Sequence, residues 1–64
     1  MTRYAIMKRR KGVRRAYADG YYSYDLELVK SIAKELAQDP EYSMVNVVDA
    51  DTNIIIASFK KAMQ

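Results

Sequence analysis

Apolar residues recur at helical spacing in only one stretch, Asp25 to Gln38, with the sequence DLELVKSIAKELAQ. Leu26, Val29, Ile32, Ala33, Leu36 and Ala37 fall on one stripe of a helical wheel, and Glu27, Lys30, Lys34, Glu35 and Gln38 fall on the other. The pattern predicts an amphipathic helix over 25–38 that needs a surface to cover. Ser23 and Asp25 are both candidate N-caps. Asp25 puts an acid at the positive end of the helix dipole and places Tyr24 and Val29 as a hydrophobic staple. Asp39-Pro40 ends the helix, because the residue before proline is biased away from helical geometry.

The flanks carry strand-like patterns. Residues 2–9, TRYAIMKR, and 13–18, VRRAYA, mix aromatic, aliphatic and basic residues on either side of Arg10-Lys11-Gly12, and Gly12 can supply the positive φ of a tight turn. This predicts a first hairpin over 2–18, closed at its far end by Asp19-Gly20. A loop of two or four residues would group Tyr4, Ile6, Val13 and Tyr17 on one face, whereas a loop of three would group Ile6 with Ala16. A slip of one residue exchanges the faces, so both registers stay open. After the helix, SMVNVVD and IIIASFK are rich in β-branched residues and flank the turn-forming run Asp49-Ala50-Asp51-Thr52-Asn53. They predict a second hairpin over 43–60. If Val48 pairs with Ile55 in an unbroken ladder, Met44, Val48, Ile55, Ala57 and Phe59 share one face, and Val45, Val47, Ile54 and Ile56 share the other. One helix can cover only one of these faces.

The expected fold is therefore α+β: a single domain over residues 1–64, in the order hairpin, helix, hairpin (ββαββ). Its antiparallel sheet has three to four strands, with the helix packed on one face. In the three-stranded version, the first predicted strand joins the second hairpin and residues 9–22 form a mobile basic arm.

Composition narrows the chemistry. The 64 residues include no cysteine and no histidine, which removes disulfides, thiolate nucleophiles, Cys/His zinc sites and histidine-based catalysis. Zero cysteine fits a cytoplasmic protein, and neither a signal peptide nor a membrane-spanning run is expected. The net charge of +3 is unevenly spread. Residues 1–18 hold seven basic residues and no acid, whereas residues 19–64 hold four lysines against eight acids.

The basic cluster Lys8, Arg9, Arg10, Lys11, Arg14 and Arg15 is the strongest functional signal. Such side chains bind nucleic-acid phosphates by neutralising charge and releasing counterions, and a projecting two-stranded ribbon can enter the major groove. Arginine also offers bidentate contacts to phosphate or guanine. Tyr17 follows the arginines and could stack on a base. Asp49-x-Asp51-x-Asn53 begins like a calcium loop but has Ile54 at the sixth position and Lys60 at the twelfth, where glycine and glutamate belong. It reads as a turn, and neither a metal nor a cofactor is expected.

The expected function is a small non-enzymatic module that binds DNA or RNA through a basic β-hairpin. The alternative is a protein-interaction or inhibitor module that docks on a protein partner, or forms a homodimer, through Val45, Val47, Ile54 and Ile56. A stand-alone domain of this kind would suit a phage or mobile-element accessory protein.

Overall fold

A computed structural model of the chain describes residues 1–60; the last four residues of the expected domain, 61–64, lie outside the described residues. The elements are β1 (Tyr4–Arg10), β2 (Tyr17–Ser23), α1 (Leu26–Leu36), β3 (Tyr42–Asp49) and β4 (Ile55–Phe59). They form one four-stranded antiparallel sheet in the order β2-β1-β3-β4, with the helix on one face. The α+β, ββαββ expectation holds in its four-stranded version, and residues 9–22 are strand and loop rather than an arm. Because β1 is antiparallel to both β2 and β3, those two run in the same direction with β1 between them. The helix is the crossover that carries the chain from edge strand β2 to central strand β3.

The helix starts where its capping chemistry allows. Asp25 is the N-cap, and its carboxylate accepts the Leu28 N–H at 3.2 Å. Ser23, the other candidate, instead accepts the Asp25 N–H at 3.1 Å, which fixes the turn into the helix. The exposed stretch Asp39-Pro40 follows the C-cap Ala37, as the proline rule requires. Val29, Ala33 and Ala37 bury the predicted stripe against Ile6, Val45 and Val47, while Leu26, Ile32 and Leu36 close its sides. The two alanines let the helix lie close to the sheet, so even this small core buries complete side chains.

Two expectations about the strands are corrected. The second strand is not residues 13–18 but Tyr17–Ser23, and Asp19-Gly20 lies inside it. Ala5 pairs with Tyr22 and Met7 with Ala18, so Ile6 alone faces Asp19, Gly20 and Tyr21. Gly20 supplies the positive φ, +90°, that this bulge requires. The first turn thus widens to a loop over residues 11–16.

The second correction concerns the proposed protein interface. Val48 does pair with Ile55, but Val47 pairs with Ala57, leaving Ile56 as an extra residue on β4. The bulge exchanges the faces beyond it. Val45 and Val47 share the helix side with Ala57 and Phe59 and are fully buried, at 0% exposure each. Ile54 and Ile56 remain exposed, at 64% and 42%. The four residues therefore form no common surface, and a docking face built on Val45 and Val47 does not exist.

Candidate nucleic-acid interface

The six predicted basic residues separate into two groups once β1 is placed. Lys8 sits opposite Val45 on the helix side of the sheet and is turned inward. Its ammonium pairs with the Asp19 carboxylate and lies 5.4 Å from the Tyr17 ring centroid and 5.0 Å from that of Tyr42. Its side chain is 13% exposed. The hydrogen bond that Lys8 donates to Asp19 holds the Lys8 pKa above its ordinary value, against the opposing effect of burial. Lys8 is therefore an internal cation serving the fold. The residues that complete this arrangement, Asp19 and Tyr42, were not among the predicted site residues. Nothing in their local sequence marks them; Asp19 shares the face of Lys8 because Lys8 pairs with Tyr17 and Met7 with Ala18.

The other basic residues lie at the end of β1 and in the loop. Arg9 donates from Nε to the Ser43 hydroxyl at 3.2 Å, and that hydroxyl donates back to the Arg9 carbonyl at 3.3 Å. Ser43 is itself a bulge residue, since Arg9 pairs with Met44 and Arg10 with Tyr42. Arg10 is exposed, and its Nε donates to the Tyr17 hydroxyl at 3.3 Å. A turn closes between them: the Val13 N–H donates to the Arg10 carbonyl at 3.0 Å, with Gly12 at φ +83° in the position that needs it. The Lys11 N–H donates to the Glu41 carbonyl at 2.7 Å, tying the loop to the connection between α1 and β3. Arg14 and Arg15 follow, both exposed.

Among the described residues the ion pairs are Lys8 with Asp19 and Lys30 with Glu27. Arg9, Arg10, Lys11, Arg14 and Arg15 make none within that set. The Glu41 carboxylate bears on Arg10 electrostatically without pairing with it. The cluster is thus a localised excess of positive charge carried by a loop at one end of the sheet. It is not a projecting ribbon, because β1 and β2 are integral strands of the sheet. The major-groove insertion expected of a free hairpin does not apply to this geometry.

Tyr17 stands at the base of the loop with Lys8 and Arg10 both within 6 Å of its ring centroid, at 5.4 and 5.8 Å. The hydrogen bond from Arg10, and after it one involving Tyr42, lower the phenol pKa below its ordinary value. Its first role is to hold the Arg10 guanidinium in place. Of the remaining tyrosines, Tyr4, Tyr21 and Tyr42 pack on the core, whereas Tyr24 is 59% exposed. Tyr22 carries the Arg3 guanidinium 4.8 Å from its ring centroid, at the opposite end of the sheet from the basic loop.

The acidic turn has a separate task. The Asp49 carboxylate accepts the Asp51 N–H at 2.9 Å, the Asp49 carbonyl accepts the Asn53 N–H at 2.8 Å, and Asn53 adopts φ +62°. This is the Asx chemistry expected of the run. No helix of the described residues is long and apolar enough to cross a membrane. Comparison with family models, with curated proteins and with solved structures returns no match, so the functional reading rests on these side chains alone.

Proposed function

We propose that the chain is a small non-enzymatic nucleic-acid-binding module of the cytoplasm, whose working surface is the loop between β1 and β2. One observation carries the reading: Arg10, Lys11, Arg14 and Arg15 project together from one end of the sheet with no ion-pair partner among the described residues. Concentrated, unpaired cations are the footprint of a phosphate-binding surface, and four arginines and lysines on one loop can each displace a condensed counterion. Tyr17 restrains Arg10 and so lowers the entropy lost when that side chain meets a phosphate. Lys8 supports the strand beneath and makes no phosphate contact.

The test is fluorescence anisotropy of labelled single-stranded and duplex oligonucleotides, titrated with wild type and with an Arg10→Gln, Arg14→Gln, Arg15→Gln variant at several salt concentrations. Wild-type affinity should fall steeply with salt, and the variant should lose about one unit of slope on the double-logarithmic plot for each phosphate contact removed. Equal slopes for the two proteins would overturn the reading.

A further inference from the structure

The sheet face away from the helix is not flat. A shallow depression of about 230 Å³ lies on it, lined by the apolar Met7, Val48 and Ile55 together with Asn46, Asn53 and Ala16. Ala16 is the last residue of the basic loop, so the depression begins one residue from Arg15. Asn46 uses its Oδ1 to accept the Ser58 hydroxyl at 2.8 Å, which leaves its amide nitrogen as a donor. Asn53, also in the lining, is exposed.

From this juxtaposition we propose that the depression holds one unpaired base of a single-stranded DNA or RNA whose phosphates lie along Arg14 and Arg15. The proposal rests on the nucleic-acid reading and adds the strandedness and the place of the base. Four features of the site select this occupant. Its volume lies below the range of about 300–1,000 Å³ typical of pockets for drug-sized ligands, and so suits a single planar ring system. Its apolar lining includes a methionine, which adapts to a flat aromatic surface. Two asparagines in its lining, Asn46 and Asn53, offer amides to the hydrogen-bonding edge of a base. The unpaired positive charge adjoining it is complementary to a phosphate backbone. A base within a duplex is stacked and cannot enter such a depression, so the site discriminates by strandedness.

The test uses the full chain and three labelled 12-mers, a single strand of natural bases, the same strand with abasic sites, and a duplex, each prepared as DNA and as RNA. Anisotropy is read at fixed salt for wild type and for two variants. Asn53→Gly removes an amide at a position whose positive φ glycine adopts without strain. Ile55→Ser removes part of the apolar lining at an exposed residue, and thermal melting establishes that both variants are folded. Wild type should bind the natural strand about tenfold more tightly than the abasic one in DNA, RNA or both. Each variant should lose most of that difference while keeping its affinity for the abasic strand. Equal binding of natural and abasic strands by wild type would overturn the inference and leave the loop as the phosphate site. Binding to no oligonucleotide would overturn both. Sedimentation of the same samples covers the remaining occupant. If wild type is a dimer that Ile55→Ser dissociates, the face belongs to a second copy and the inference fails.

Discussion

The two hairpins close at opposite ends of the same sheet, and their turns use polar residues in opposite ways. Between β3 and β4, the Asp49 carboxylate accepts the Asp51 N–H at 2.9 Å and the Thr52 hydroxyl accepts the Ile54 N–H at 3.3 Å, so side chains bind the turn's own backbone. Between β1 and β2, a single glycine turn and one anchor to Glu41 hold the backbone, and the charged side chains of Arg14 and Arg15 are left to solvent. A turn whose polar groups satisfy each other serves stability. A turn that leaves its charges unpaired carries self-repulsion at no benefit to the fold, and the proposed phosphate-binding role accounts for it. The same distinction separates Lys8 from its neighbours in the basic run: the ion pair with Asp19 takes it out of the surface.

The largest expected effect breaks the second hairpin from beneath. Val47→Lys puts an unpaired charge at a fully buried position and should cost about 4 kcal/mol or more, enough to unfold a domain of this size, whereas Ile54→Lys should change stability by no more than about 0.5 kcal/mol. Urea denaturation of the two variants measures this, and a folded Val47→Lys protein would mean that Val47 does not face the helix.

A second experiment compares the turns directly. Asp49→Ala removes the acceptor for the Asp51 N–H and should cost about 1 kcal/mol, with no change in oligonucleotide affinity. Arg14→Gln with Arg15→Gln should do the reverse, leaving stability within about 0.5 kcal/mol and weakening binding. Paired denaturation and anisotropy curves distinguish these outcomes.

The third effect is comparable in size and isolates Lys8. Lys8→Met removes a partly screened ion pair and its aromatic contacts and should cost about 1 kcal/mol while leaving the salt slope of binding unchanged. The pH dependence has a definite sign. Because Asp19 raises the Lys8 pKa in the folded state, this contribution is fully present below the ordinary lysine value of about 10.4 and is lost as pH rises through the higher folded value. The stability difference between wild type and Lys8→Met should therefore be constant from pH 7 to 10 and shrink above that. A difference that grows with pH would contradict the pairing.

Much of the fold is legible in the residues themselves, because it rests on local chemistry. The helix is announced by its periodic stripe, its Asp25 cap and Pro40, and the second hairpin by β-branched runs around an Asx turn. What is not legible depends on bulges. Asp19-Gly20 has strong turn chemistry, and only the tertiary pairing of Asp19 with Lys8 and the positive φ of Gly20 keep both inside β2. The extra residue at Ile56 reverses the faces of the second hairpin, and periodicity has no means of locating it. The same limit applies to the site. The basic run is evident in the chain, whereas the split between an internal Lys8 and an outward Arg10, Lys11, Arg14 and Arg15 follows from which residues the sheet register sets opposite them.

The most direct measurement is a ¹H–¹⁵N correlation spectrum of the full chain titrated with a short DNA duplex, which offers phosphates without an unpaired base. The account predicts that the largest shifts fall on residues 10–17 and that Asp49, Ala50, Asp51 and Thr52 do not move. Shifts centred on the acidic turn or on the outer face of α1, with residues 10–17 unperturbed, would contradict it.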